Sequence, residues 1–101
     1  MGSTPEKRVK DKVVYQLKRL GAYYFFPATG GYGKSGVPDI ICCYRGRFVA
    51  IECKAGNNKT TKLQEKQLEA IGEAGGVALV INEDNVDTVF STLMVGIAPQ
   101  K

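Results

Sequence analysis

Apolar residues near the start of the chain recur every three or four positions, which is the spacing of one buried helix face. This stripe predicts a first helix from Ser3 to about Arg19, which Thr4 or Ser3 can cap and Gly21 ends. Pro5 suits its first turn. The residues of the stripe are Val9, Val13, Leu17 and Leu20.

The next segments have strand character and meet at a tight turn. Ala22–Pro27, rich in aromatic residues, predicts a strand, and Ala28–Gly36 is a loop with four glycines. Val37–Tyr44 and Arg47–Lys54 are β-rich runs separated by Arg45-Gly46. We therefore expect a hairpin with a two-residue loop.

The second half of the chain predicts a helix, a strand and a further helix. Thr60 or Thr61 can cap a helix that reaches Glu73. Val77–Ile81 is apolar throughout, which favours a central strand. A third helix begins at Asp84 or Asn85. The side chains expected to face the core are Leu63, Leu68 and Ile71 in the second helix and Val86, Val89, Phe90 and Leu93 in the third.

This order of elements predicts an α/β fold with a mixed sheet flanked by helices. The connection from Lys54 to Val77 runs through a helix, so the last strand should lie parallel to the strand before it. We expect residues 1–101 to form a single domain, with a loose tail after about residue 95.

Composition narrows the possible functions more than the element pattern does. The chain has no histidine, which excludes Ser-His-Asp and Cys-His catalysis and histidine-containing zinc sites. Three cysteines at these spacings form neither a disulfide framework nor a zinc motif. The net charge is +4 and is concentrated near the start, which suits a polyanionic partner, although a solvated helix face explains it equally well. With no membrane span or signal pattern in the sequence, we expect a cytoplasmic protein.

Two carboxylates face each other across the predicted hairpin. With Arg45-Gly46 as its loop, Asp39 falls opposite Glu52, and Lys54 points to the same side because strand side chains alternate. Facing acids repel and destabilise a sheet unless a cation lies between them. Each residue alone has a simple explanation, as a turn cap or an exposed ion pair. Together, beside the apolar run 48–51, they favour a metal-dependent phosphodiesterase site.

Two further polar residues are ambiguous on the sequence alone. Glu6 completes a capping box with Ser3, yet it also lies one turn before Val9 on the buried stripe. Gln64 lies early in the second helix, where an exposed polar residue is the simpler interpretation. Cys53 alternates away from Glu52, so its thiol should lie in the core, while its backbone carbonyl remains able to bind a metal.

A second motif suggests nucleotide binding but lies in the wrong context. Residues 28–35 read Ala-Thr-Gly-Gly-Tyr-Gly-Lys-Ser, a relaxed phosphate-loop pattern. A phosphate loop must lead directly into a helix, whereas Val37-Pro38-Asp39 starts a strand here. We therefore interpret the loop as a contact to a nucleic-acid backbone through Lys34.

Three phrases of the sequence, in this order, resemble the virus-type replication-repair nuclease (VRR-NUC) family of the PD-(D/E)xK superfamily. They are Gly36-Val37-Pro38-Asp39-Ile40-Ile41, Phe48-Val49-Ala50-Ile51-Glu52-Cys53-Lys54, and a helix from Gln64 to Ala74-Gly75-Gly76. The resemblance implies a restriction-endonuclease-like αβββαβ core, with a further helix here. It also implies similarity to Holliday-junction resolvases, a homodimer, and an origin in a bacterial or phage-infected cell.

The resemblance also implies roles for individual residues. Asp39, Glu52 and the Cys53 carbonyl would hold Mg²⁺ or Mn²⁺, Lys54 would act on the attacking water, and Glu6 and Gln64 would belong to the site. We therefore expect a metal-dependent DNA endonuclease that selects branched structures. The alternative is a non-catalytic nucleic-acid-binding module with the same fold. Candidate backbone contacts are Lys7, Lys10, Lys34, Lys59 and Lys62.

Overall fold

The computed structural model describes residues 3–28 and 35–94, so the proposed tail and Lys34 lie outside the described residues. The elements follow the predicted order. They are α1 (Pro5–Leu20), β1 (Tyr23–Phe25), β2 (Ile40–Tyr44), β3 (Arg47–Cys53), α2 (Lys62–Glu73), β4 (Val77–Ile81), a 3₁₀ turn (Val86–Thr88) and α3 (Val89–Met94). Within the described residues, no helix is long and apolar enough to cross a membrane.

The four strands form one mixed sheet in the order β1-β2-β3-β4. β1, β2 and β3 are antiparallel, and β4 is parallel to β3 as the helical crossover predicts. The prediction that Val77–Ile81 is central was wrong, because β4 is the edge strand. Its apolar sequence reflects one buried face: Val77, Leu79 and Ile81 pack on the main core, whereas Val80 on the opposite face is 42% exposed.

The β2–β3 hairpin has the predicted register. Tyr44 pairs with Arg47 and Ile40 with Ile51, so the loop contains only Arg45 and Gly46. Both loop residues have positive φ, 51° and 82°, as a type I′ turn requires. This turn matches the twist of the strands and fixes which residues of β2 face which residues of β3.

Alternation along β2 and β3 divides the sheet into two faces, which we name after their helices. The α1 face carries Ile40, Cys42, Val49, Ile51 and Cys53, all buried in the main core. The α2 face carries Ile41, Cys43, Phe48, Ala50 and Glu52. Helices α1 and α3 pack on the first face, and α2 on the second.

Helix α1 closes its face as the apolar stripe predicts. Val9, Val13 and Leu17 are buried, and Leu20 is half-buried at the end of the helix. Gly21 ends α1 in the left-handed conformation, with φ of 76°. The buried side chains of α1 therefore form one side of the main core, against the strands.

Helix α2 covers its face only loosely. None of its residues is fully buried, and Leu63, predicted to face inward, is 56% exposed. Leu68 and Ile71 are half-buried. The prediction for Leu63 is wrong: the residue lies in the first turn of α2, where its backbone lies against Gly36 and its side chain is exposed. Phe90 was also predicted to be buried but is exposed, since α3 turns Val89 and Leu93 toward the core instead.

Candidate active site

Asp39 lies immediately before β2, beside the end of β3. The observed pairing ends with Ile40 opposite Ile51, and its continuation by one residue sets Asp39 opposite Glu52, as the hairpin predicts. Its Oδ2 accepts a hydrogen bond of 2.8 Å from the backbone N–H of Cys53. This bond fixes the carboxylate at the end of the two strands.

Glu52 is a carboxylate buried within the sheet, only 2% exposed. Its Oε2 accepts a 2.9 Å hydrogen bond from Gln64 Nε2 and lies 3.4 Å from Lys54 Nζ. Its Oε1 is buried and has no hydrogen-bond partner among the described residues. Two donors therefore orient one oxygen and leave the other available to a further positive group.

The electrostatics of Glu52 reflect this arrangement. The pKa of its carboxyl is raised from 4.5 to about 7, mainly by burial and then by the nearby charge of Asp39. Lys54 opposes the shift through its charge and a hydrogen bond, while Glu6 adds slightly to it. Burial and the neighbouring carboxylates therefore outweigh Lys54 in setting the pKa of Glu52.

Gln64 serves both the helix start and the site. Thr61 is the N-cap of α2, and its hydroxyl accepts from the Gln64 N–H while Gln64 Oε1 accepts from the Thr61 N–H. This reciprocal capping box fixes the side chain so that Nε2 points at Glu52. The simpler interpretation of Gln64, an exposed helix residue, is wrong, because the cap turns it inward.

Gly36 brings the segment before β2 against the start of α2. Its φ is +76°, and a Cβ at this position would lie 2.6 Å from the carbonyl carbon of Leu63. Only glycine permits this approach. The contact keeps the segment that carries Asp39 next to the helix turn that carries Gln64.

Glu6 does not belong to a capping box. The N-cap of α1 is Thr4, whose hydroxyl accepts from the Lys7 N–H, so the pairing predicted with Ser3 is wrong by one residue. A start at Thr4 places Glu6 at the second helical position, where its side chain is not needed for the cap. Glu6 instead lines a cavity of about 380 Å³ together with Asp39 and Cys53.

The thiol of Cys53 lies in the core, as the strand alternation predicts. Its pKa is raised to about 12, mainly by burial and then by the charges of Asp39 and Glu52, while Lys10 opposes the shift. A thiol in this environment stays protonated and unreactive. Any part Cys53 plays in metal binding falls to its backbone carbonyl.

The side chains alone do not form a complete metal cage. Within residues 3–28 and 35–94, no group of three Cys, Asp or Glu side chains is placed to hold an ion. The available ligands are the carboxylates of Asp39 and Glu52, with the Cys53 carbonyl beside them. Mg²⁺ is commonly held by one or two carboxylates and several waters, so this partial set suits it.

The lysines proposed as DNA contacts lie in different settings. Lys7 is paired with Asp11 at 3.0 Å on the surface of α1. Lys10 lies over the ring of Phe26, with its ammonium 4.2 Å from the ring centroid. Lys59 and Lys62 are exposed at the start of α2.

Sequence reasoning missed Phe26, which lines the same cavity as Asp39. It was counted only as part of an aromatic strand, whereas β1 ends at Phe25. Alternation from Tyr24, which packs on the main core, would have placed Phe26 on the side of α1 and its lysines.

The sequence model of the family described as archaeal Holliday junction resolvase (Hjc) matches residues 13–88. The chain belongs to this family. A search of curated proteins finds no match. The Hjc match and the structural neighbours confirm the predicted resemblance and fold class.

Three solved structures share the fold of this Hjc-family chain. A structure titled "VRR_NUC domain" is 21% identical, with a TM-score of 0.74, over 94% of this chain and 100% of its own. A "VRR_NUC domain protein" is 24% identical, with a TM-score of 0.65, over 93% and 88%. The Hjc Holliday junction resolvase of Archaeoglobus fulgidus, an archaeal hyperthermophile, is 20% identical, with a TM-score of 0.56, over 75% and 68%. At these identities the likeness is one of fold.

Proposed function

We propose that this chain is a divalent-metal-dependent DNA endonuclease that cleaves branched DNA, as the name of its family suggests. The observation that carries the proposal is Glu52, a buried carboxylate with one oxygen held by Gln64 and Lys54 and the other without a partner. Burying an unpaired acceptor on a charged group is costly unless a ligand satisfies it. A cation beside Asp39 would satisfy it.

The residues present fit Mg²⁺ or Mn²⁺. Asp39, Glu52 and the Cys53 carbonyl would hold the ion, and Glu6, which lines the adjoining cavity, is a possible further ligand. All of these are hard oxygen donors, which these ions prefer. When bound, the cation would neutralise charge on the scissile phosphate and make a water molecule a stronger nucleophile.

The remaining side chains would orient the reacting groups. Lys54 is 12% exposed and held at Glu52, where its ammonium can donate to the attacking water or to the phosphate. Gln64 keeps the Glu52 carboxylate in a single orientation. Lysines at the surface would contact the DNA backbone without reading its sequence. In the described part of the chain these are Lys7, Lys10, Lys59 and Lys62, and the proposal extends to Lys34.

We also propose that the chain acts as a homodimer, which would let two sites engage one branched substrate. A row of exposed side chains, Tyr23, Cys43 and Phe48, crosses the α2 face where α2 does not cover it. Exposed apolar rows of this kind are typical of association surfaces. Sedimentation equilibrium tests this directly, and a monomer mass at all concentrations would contradict it.

The decisive experiment compares cleavage with binding. Labelled four-way junction, flap and duplex DNA are incubated with wild type, Asp39→Asn and Glu52→Gln in Mg²⁺ or Mn²⁺. We expect both variants to lose cleavage by on the order of a thousandfold and to bind the junction within about threefold of wild type. Full activity in either variant would remove that residue from the site.

Gln64→Glu gives a sharper variant of the same experiment. Glutamate is the usual partner in a capping box, so the start of α2 should be unchanged. It would, however, place a second carboxylate against Glu52 Oε2 in place of a donor. We expect cleavage to fall by about tenfold while α-helical circular dichroism stays constant. Cleavage equal to wild type would show that Gln64 only caps the helix.

The alternative hypothesis, a non-catalytic nucleic-acid-binding module, predicts different results. Such a protein would bind junctions without cleaving them, and Mn²⁺ would not raise its melting temperature. A rise with Mn²⁺ that disappears in Glu52→Gln would support the metal site independently of cleavage.

A further inference from the structure

Lys10 differs from the other lysines near the site in what holds its side chain. Its ammonium lies 4.2 Å from the centroid of the Phe26 ring, the geometry of a cation–π contact. Glu6 lies four residues earlier on the same helix, at the spacing that favours an ion pair. Among the described residues, however, Lys10 forms no ion pair. Phe26 thus contacts the ammonium, and no carboxylate of the described residues forms an ion pair with it.

The Lys10 ammonium lies on the wall of the candidate site. Lys10 and Phe26 line the same cavity of about 380 Å³ as Asp39, Glu6 and Cys53. A cavity of this size accommodates a group the size of a small ligand. Lys7 lines the cavity too, but its ammonium is bound to Asp11.

Lys54 does not occupy the same place. Its ammonium is nearly buried at Glu52 Oε2, on the α2 face of the sheet. An anion that enters the cavity beside Asp39 therefore meets Lys10 on the side of α1. Lys54 is bound to Glu52 and does not line the cavity, whereas Lys10 lines it together with Asp39.

We propose that Lys10, held in place by Phe26, binds a phosphate oxygen of the DNA strand beside Asp39. The proposal rests on the proposed function, since it names the group that positions that substrate. A lysine loses much rotamer freedom when it binds an anion. The ring of Phe26 restricts that freedom beforehand, so less is lost on binding.

The test replaces Lys10 with methionine, which keeps an unbranched stem over the ring but removes the charge. The matched control is Lys12→Met, the same charge change on the same helix at a residue outside the cavity. We expect Lys10→Met to raise KM for a four-way junction by about tenfold to a hundredfold, with kcat within about threefold. Lys12→Met should stay within about twofold of wild type for both.

Binding to the same junction in chelator gives a second measurement that needs no cleavage. The slope of log K against log salt should decrease in magnitude by about 0.9 in Lys10→Met, the value for one lost phosphate contact. Phe26→Leu should weaken binding by about threefold, and Lys10→Arg should keep it, because arginine also stacks on the ring and binds phosphate. Adding Phe26→Leu to Lys10→Met should cause no further loss.

The outcomes separate this inference from the proposed function. If wild type cleaves and Lys10→Met matches Lys12→Met in KM and salt slope, the inference is overturned and the nuclease stands. If wild type does not cleave, the proposed function fails, while the binding measurements still decide the role of Lys10. A fall in kcat alone, or loss of Mn²⁺ stabilisation in Lys10→Met, would also overturn it.

Discussion

The two faces of the sheet are built on different principles. On the α1 face, strand residues such as Val49 and Ile51 and helix residues such as Leu17 are completely buried and apolar. On the α2 face, the helix has no fully buried residue, yet the strand beneath it buries the carboxylate of Glu52. The best-packed face is apolar within the sheet, and its charged residues Glu6 and Lys10 lie at the cavity beside Asp39, whereas the loosely covered face buries a carboxylate in the sheet itself.

This contrast follows from what each face has to do. Apolar burial supplies stabilisation in proportion to the area removed from water, so a closed face stabilises the fold most. A buried carboxylate does the opposite unless it is paired. Loose cover by α2 leaves room for donors from Gln64 and Lys54 to reach Glu52. We therefore expect stability to depend on the packed interior of the α1 face, and function on the α2 face together with the cavity that Glu6 and Lys10 line.

The largest expected difference between the faces is in the free energy of unfolding when a leucine is truncated in the helix that covers each face. Leu17→Ala removes a side chain that is 0% exposed and should lower the free energy of unfolding by about 2–5 kcal/mol. Leu63→Ala makes the same change in the other helix, at a side chain that is 56% exposed, and should cost at most about 0.5 kcal/mol. Urea unfolding measures both.

Equal losses of unfolding free energy in the two leucine variants would contradict the proposed difference between the α1 and α2 faces. A cost of several kcal/mol for Leu63→Ala would mean that its face is covered in solution, as in a dimer. Repeating the unfolding at several protein concentrations distinguishes this case, because only an oligomer gives a concentration-dependent midpoint.

A smaller effect should appear as a pH dependence that originates on the α2 face. The Glu52 carboxyl has a pKa of about 7 in the folded protein against 4.5 in the unfolded chain, so the folded state binds its proton more tightly. In chelator, this contribution is complete below pH 4.5 and is lost as pH rises through 7. The loss should be on the order of 3 kcal/mol.

Glu52→Gln is the control for that pH dependence, because glutamine does not titrate. The difference in unfolding free energy between the two proteins should grow in favour of the variant from pH 4.5 to 7, and other acids cancel in it. Mn²⁺ at pH 8 should stabilise wild type only. A pH-independent difference would mean that the Glu52 carboxylate is not destabilised by burial.

Most of the fold could be predicted from the sequence because local signals agreed with one another. The stripe on α1, the Arg45-Gly46 turn and the apolar run of β4 each have one physical interpretation. The wrong predictions concern properties that depend on contacts with other elements rather than on a segment's own sequence. Whether Val77–Ile81 is central or at the edge depends on how many strands pair with it, which its own residues do not encode.

The site was predictable only in part, for a related reason. Asp39, Glu52 and Lys54 follow from strand alternation and a two-residue turn, and the structure brings them together. Gln64 and Glu6 depend on where two helices begin, to within one residue. Helix ends are the least certain part of any sequence interpretation, because adjacent Ser and Thr residues can each act as the cap.

The smallest and most local test uses two adjacent cysteines of β2 that point to opposite faces. Burial raises the pKa of the Cys42 thiol on the α1 face to about 11, while Cys43 is exposed on the α2 face. At pH 8, iodoacetamide should therefore label Cys43 alone in the folded protein, and all three cysteines in urea. Peptide mass spectrometry locates the adduct.

Labelling of Cys42 at the rate of Cys43 would mean that the α1 face opens readily. Protection of Cys43 would mean that another molecule covers the α2 face. Because both residues share one strand and one backbone environment, any difference in their rates reports the difference between the faces.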